Sequence, residues 1–307
     1  MIGLGAKIRD AYEKFLFDSC DPRMCSVLRL AVGVILIVYT IVWMLDAERW
    51  FTDAGVLQTA TARELGGGQY KSLLFWLPST KTVVELCLVA LLVQSCLLLL
   101  GCWSRVQAAM IFVWLTSFQH RNPMICDGED TVLRWWLFAM IFMPLDHRFS
   151  LLRYLRKQPR SAATTADAWA LRIIHIELTA IYLSTAWCKY QGVTWRDGTA
   201  LYYVSRMTDM FGRFWLPDIL FESPWIITLS TWSVLAVESA LPVLLWISPL
   251  RKSAIVLGIG LHLAIEYSMN LFLFEWIMIV GLMTFLGIKE NRKISAVTSS
   301  TRQAATS

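Results

Sequence analysis

The chain has 307 residues, 56% of them hydrophobic and 17% charged, with a formal charge of +5. An ordinary soluble domain carries about 25% charged residues, so a mean hydropathy of +0.52 argues against a water-soluble fold of ordinary composition. No basic run sits on a soluble module, which argues against nucleic acid as a partner. The seven cysteines form no C-x-x-C pair and the four histidines no close pair, so no metal site is expected.

Along the chain, residues 1–23 carry Lys7, Arg9, Asp10, Glu13 and Lys14 and are too polar for a cleaved signal peptide. They are expected to form a cytoplasmic amphipathic segment ahead of an uncleaved signal anchor. A span needs roughly 20 mostly apolar residues. On that measure spans are predicted at 24–45, 83–102, 106–120, 131–145, 168–188, 225–247, 253–269 and 271–288. The third and fourth are short, fitting tilted, partly buried or re-entrant helices. Loops 46–82 and 189–224 mix aromatics with charges, among them Trp50, Phe51, Tyr70, Trp76, Trp195, Phe211 and Trp215, a composition suited to the membrane interface. The Ser- and Thr-rich tail, 289–307, is expected to be disordered. The expected fold class is therefore all-α: a polytopic membrane helix bundle of about eight transmembrane helices in one domain, 24–288, with interfacial helices in two long outer loops.

Of the 28 Lys and Arg, sixteen fall on the side of the amino terminus, nine on the opposite side, and Arg29, Arg134 and Arg172 inside spans. That bias predicts a multi-pass protein of the cell membrane with both termini cytoplasmic. The ionisable residues then gather at the outer ends of spans: Glu85, Asp127, Glu129, Asp130, Arg134, Lys189, His262, Glu266 and Glu275, with His175, Glu177 and Glu238 deeper. Each costs roughly 2.5–3.5 kcal/mol inside a membrane helix unless it meets a partner or a wet cavity. The expectation is one outward-facing cavity lined by Lys189, Asp130, Arg134 and His262. Within it, Asp130 would pair with Arg134, and Glu266 would orient His262, both at i, i+4. Cys126 and Cys188 are the cysteines placed at the outer surface, where they would either form a disulfide or remain two free thiols.

Several stretches resemble the HTTM family, the membrane domain shared with vitamin K-dependent gamma-carboxylase. They are Arg121-Asn122-Pro123 with Asp127-Gly128-Glu129-Asp130, then Phe142-Met143-Pro144-Leu145 and Ser150-Leu151. A second stretch is Lys189 with Trp195, Asp197-Gly198-Thr199-Ala200 and Tyr203. Weaker matches are Glu238 with Leu241-Pro242 and Arg251, and Gly260-Leu261-His262 with Met269 and Phe274. The resemblance spans about residues 20–290 and implies a short form without the carboxylase's large extramembrane domain. It also implies a lipid-soluble quinol as cofactor, vitamin K hydroquinone or menaquinol, with Lys189 at or beside the lysine that deprotonates it. His262 would be the proton partner, and Asp130 with Arg134 the orienting groups. Arg121, Asn122, Asp127, Glu129, Trp187, Tyr190, Trp195, Asp197 and Glu266 would contact the substrate. The chain departs from the family where it has Lys189-Tyr190 for two adjacent lysines, and Glu129-Asp130 for a histidine.

The expected function is a quinol-using membrane redox or modification enzyme, carboxylase-like (a lyase) or an oxidoreductase. Its partners would be the lipid bilayer and a lipid-soluble quinone. The alternative is a non-enzymatic membrane helper for maturation or export of a secreted peptide of the toxin-production type, partnered by that peptide or another membrane protein. Transport of a small anion is least favoured, because no inverted repeat is evident.

Overall fold

The structure, a computed structural model, describes residues 2–17, 19–158 and 166–288. The tail expected to be disordered, 289–307, lies outside the described residues. Helix α1 (Ile2–Phe17) precedes Asp21, whose carboxylate accepts the Arg23 N–H at 2.9 Å and opens α2 (Pro22–Leu45). Pro22 sits in the first turn, where a missing N–H costs no hydrogen bond. Short helices α3 (Ala47–Phe51) and α4 (Thr59–Leu65) occupy the first long loop. Then come α5 (Lys81–Leu100), α6 (Ser104–Arg121), α7 (Gly128–Met140) and α8 (Leu151–Leu155). Helix α7 stops short because Pro144 follows and disfavours helix at the residue before it.

The second half runs α9 (Trp169–Gln191), α10 (Val193–Arg196), α11 (Ala200–Val204), α12 (Ile219–Glu222), α13 (Pro224–Leu244), α14 (Ser248–Ser268) and α15 (Phe274–Thr284). The architecture is thus all-helical, as the sequence leads one to expect. Among the described residues, extended pairing is limited to Ser19–Cys20 against Ala166–Asp167 and two isolated bridges, Cys20 with Ile288 and Phe211 with Met269.

Helix α2 lies along α5, α5 against α6, and α6 against α7. In the same way α9 lies along α13, α13 against α14, and α14 against α15. Helix α15 also touches α2, α7 and α9, so it joins the two groups. It can do so because of Gly281: a Cβ there would lie 2.6 Å from Leu178 Cδ1 and 3.0 Å from Trp136 Cζ2. A small residue at such a crossing lets backbones approach closely, and Trp136 and Leu178 are fully buried around it.

Among the described residues, three helices are long and apolar enough to cross a membrane: α2, α5 and α13. Helices α7 and α15, at 13 and 11 residues, are the short ones; at 1.5 Å per residue each spans roughly 20 Å or less, against a hydrocarbon core of about 30 Å. Helices α9 and α14 have the length, 23 and 21 residues, but carry Arg172, Glu177 and Lys189, and Arg251, Lys252 and Glu266. The two loops expected to hold interfacial helices do contain short ones, α3 and α4 in the first, α10 to α12 in the second.

Candidate proton-relay site

Two polar networks lie inside the bundle, one in each half. In the first, Asp130 is three residues into α7's first turn region and accepts the Asp127 N–H at 2.6 Å, closing the helix start. The same carboxylate accepts from the Tyr39 hydroxyl on α2 and from Gln119 Nε2 on α6 at 3.0 Å. Arg134, one turn on, faces His120 Nε2 at 3.4 Å, and His120 stacks on Tyr70 with ring centroids 4.9 Å apart. Among the described residues no ion pair joins Asp130 to Arg134. The i, i+4 spacing places them on one face, but α2 and α6 bring uncharged donors that occupy the carboxylate first.

Arg121 is fully buried and donates to the Leu57 carbonyl at 2.9 Å and to Asp53 at 3.2 Å. Asn122 donates to the Trp50 carbonyl at 2.9 Å and accepts the Met124 N–H at 3.2 Å. Both therefore fasten the loop 46–82 to the end of α6. Asp127 is exposed and Glu129 buried. Burial alone would raise the Asp53 carboxyl, but the Thr59 hydroxyl and N–H, the Arg121 charge and the Ser79 hydroxyl outweigh it and hold it below its ordinary value.

In the second network every link runs from side chain to side chain. Lys189, in the last turn of α9, forms an ion pair with the buried Glu238 of α13, and its ammonium lies 4.9 Å from the Trp195 ring centroid. About two turns deeper on α9, the buried Tyr182 hydroxyl meets His262 Nε2 of α14 at 2.6 Å. His262 Nδ1 is bonded to the Glu275 carboxylate of α15. A carboxylate only accepts, so Glu275 fixes the proton on Nδ1 and leaves Nε2 to accept from Tyr182 in the neutral imidazole. Tyr182 also lies within electrostatic range of both Glu238 and Glu275. The five side chains thus come from four helices that each carry one or two of them.

Glu266 is not the partner of His262. It pairs with Arg213 from the loop before α12 and accepts the Trp276 indole N–H at 3.0 Å. The imidazole turns instead to the helix packed against α14, which sequence spacing within α14 cannot reveal. Among the described residues, neither Asp130 nor Arg134 makes a hydrogen bond or ion pair with Lys189 or His262. The four residues expected to share one cavity divide between the two networks, with α15 and the Phe274 ring, which faces Gly128, beside the start of α7. Trp187 and Tyr190 are exposed next to Lys189, and Asp197 is engaged in its own turn, accepting from the Thr199 N–H at 3.0 Å and hydroxyl at 2.6 Å. Cys126 and Cys188 are both free thiols, so the disulfide is absent; Cys126 instead donates to the Gln119 and Asn122 carbonyls.

Tyr182 is not singled out by the sequence, which places Glu275 among the ionisable residues at the outer ends of spans and Glu238 among the deeper ones, neither with a partner or a role. A tyrosine in an apolar run gives no signal of its own, whereas the two glutamates had one: a carboxylate within an apolar helix needs a partner. No family model matches the chain, and no curated protein or solved structure matches it.

Proposed function

We propose that this is a multi-pass membrane protein of about eight spans with both termini cytoplasmic, and that it is an acid–base enzyme acting on a lipid-soluble quinol at the Lys189–Glu238 and Tyr182–His262–Glu275 network. The observation that carries this reading is the buried chain of carboxylate, imidazole and phenol beside a lysine ion pair. Structural polar groups in a membrane bundle need only be satisfied, and backbone groups or amides do that without titrating. Here five titratable groups are paired with one another. The order Glu275, His262, Tyr182 is one in which a carboxylate orients an imidazole and stabilises its cation while the imidazole takes a hydroxyl proton.

In this reading the Lys189 ammonium first passes a proton to the paired Glu238 carboxylate, and the neutral Nζ then takes the quinol O–H proton. Tyr182 and His262 hold the next proton on the path inward. The exposed rings of Trp187 and Tyr190 and the Trp195 ring over Lys189 offer the packing surface for an aromatic quinol arriving from lipid. A membrane placement is supported by the apolar residues that α2, α5 and α13 leave exposed, among them Val34, Leu86 and Trp225. The short α7 and α15 would lie mostly against other helices rather than lipid, consistent with their contacts. The resemblance to the HTTM family adds the quinol as substrate class; Asp130 and Arg134 have no chemical role in this version.

The test is oxidation of menaquinol by the purified chain under dioxygen. Quinol loses two electrons and two protons to become the quinone, and dioxygen takes them as hydrogen peroxide. Wild type should accelerate quinone formation, and Lys189→Ala and Lys189→Arg should both abolish the acceleration at normal protein level, since arginine cannot lose its proton in the working pH range. Full activity in Lys189→Arg would remove the base role.

A further inference from the structure

At the opposite end of the bundle from Lys189, the segment between α7 and α8 folds back against α2 and α5 and leaves a cleft of about 790 Å³. Behind its wall lies Arg29, which is fully buried on α2. Arg29 Nη1 donates to the last-turn carbonyls of α5, Leu98 at 2.9 Å and Leu99 at 2.6 Å, and Nη2 to the Phe149 carbonyl at 2.8 Å. One guanidinium therefore satisfies a helix C-terminus and pins the loop that forms the cleft wall.

The lining is strongly one-signed. Arg148, Arg153 and Lys157 face the cleft, and Asp146 is the one carboxylate among its lining residues. Asp146 is engaged by the Ser104 hydroxyl and N–H across the gap. His147 reports the resulting field: burial, then the charges of Arg148 and Arg153, push its imidazole below its ordinary value. Leu30, Leu99 and Leu100 continue the cleft upward as an apolar wall on α2 and α5. At the rim, Phe149 is 67% exposed and Tyr154 79% exposed. Phe149 and Lys157 hold φ of 54° and 48°, a backbone conformation that side-chain-bearing residues rarely adopt, so the fold commits both to these positions.

We infer that this cleft binds the phosphate headgroup of an anionic phospholipid, with the basic side chains on the phosphate and the leucine wall along its acyl chain. A soluble anion would use the cations but not the exposed aromatic rim or the apolar wall. A zwitterionic lipid would bring its own cation into a site already repelling one. The inference rests on the membrane placement proposed above and on nothing about the quinol site.

The experiment measures equilibrium binding of fluorescent phosphatidylglycerol and phosphatidylcholine to the full chain in neutral detergent, with inorganic phosphate as competitor. Each basic side chain near an anionic lipid surface strengthens binding about fivefold. Phosphatidylglycerol should therefore bind at least tenfold more tightly than phosphatidylcholine. The double substitution Arg153→Gln with Lys157→Gln should weaken it by about 25-fold while leaving its phosphatidylcholine binding and melting temperature unchanged. If that variant fails to fold, the charge-keeping Arg153→Lys should retain the preference and Tyr154→Ala should weaken both lipids alike. Equal binding of the two lipids, an unaffected double variant, or full displacement by millimolar phosphate would overturn the proposal. Resistance of the chain to alkaline carbonate extraction, measured in parallel, tests the membrane placement itself. Extraction would sink that reading, whereas retention without lipid preference would sink the headgroup site alone.

Discussion

The two internal networks use similar residues for different ends. Around Asp130, one carboxylate gathers a backbone N–H, an amide and a phenol, and the result ties α2, α6 and α7 together at the start of a helix. Around His262, a carboxylate meets an imidazole, the imidazole a phenol, and a lysine ion pair stands next to them. In the first, a single carboxylate takes donors from α2, α6 and the start of α7, and no imidazole or second carboxylate is bonded to it among the described residues. In the second, Tyr182, His262 and Glu275 are titratable groups bonded in series, with the Lys189–Glu238 pair beside them. What separates a structural tie from a candidate relay is the identity of the partners rather than the burial of the acid.

The sharpest way to break this comparison is to change each acid by one atom. Asp130→Asn should place an amide opposite Gln119 or the Asp127 N–H, leaving a buried donor unsatisfied at a cost of about 1–3 kcal/mol. Melting in detergent should show that loss, with the residual menaquinol oxidation per folded molecule unchanged. Glu275→Gln keeps an acceptor for His262 Nδ1, so its melting temperature should stay close to that of wild type. It can no longer stabilise an imidazolium, so oxidation should fall on the order of a hundredfold, the lower range for loss of acid–base assistance. If Glu275→Gln were inactive only because it unfolded, the distinction between the networks would collapse.

A packing change sharpens the same contrast from the side. Gly281→Ala inserts a Cβ 2.6 Å from Leu178 Cδ1, where helix α15 passes between α7 and α9. Overpacking of this kind costs about 1–3 kcal/mol, and it should shift the melting temperature while moving both networks together. A smaller effect is expected at Asp53. Its carboxyl is held below its ordinary value in the folded chain, chiefly against burial and by Thr59 and Arg121. That contribution is complete above the unfolded value of about 3.9 and is lost as pH falls through the lower folded value. Asp53→Asn should therefore reduce stability slightly near neutral pH and flatten its decline below about pH 4, measured by melting across an acid series. Thiol labelling offers the mildest test: Cys188, exposed, should react with maleimide in the folded chain well before Cys126, which is half-buried and bonded to two carbonyls.

Some of this was legible in the residues and some was not, for definable reasons. Helices α2, α5 and α13 announce themselves as unbroken apolar runs, and the Pro144 stop and the Asp127 start bracket α7. Lys189 and His262 stood out because charge and imidazole are costly in such runs. Their partners did not follow from spacing. The i, i+4 rule says which side chains share a face, and on that rule Arg134 and Glu266 were natural choices. Packing decided otherwise: α13 brings Glu238 to Lys189, and α15 brings Glu275 to His262, from 49 and 13 residues away. The second long loop shows the same limit. Its charges read as interfacial, yet Arg213 reaches back to pair with Glu266.

The small junction at Cys20 has a consequence for how the chain comes into being. Ser19–Cys20 pairs with Ala166–Asp167, Cys20 bridges to Ile288, and the Asp21 N–H donates to the Gly287 carbonyl at 3.0 Å. Three stretches that emerge from the ribosome at widely separated moments thus share one knot of backbone bonds. The earliest can pair once Ala166–Asp167 is made, but the junction is complete only when Gly287 and Ile288 have been delivered. Contacts of such long sequence separation are slow to close. The two halves of the bundle can be threaded one after the other and meet first where α7 packs on α9, and α15 adds the last contacts between them, to α2, α7 and α9.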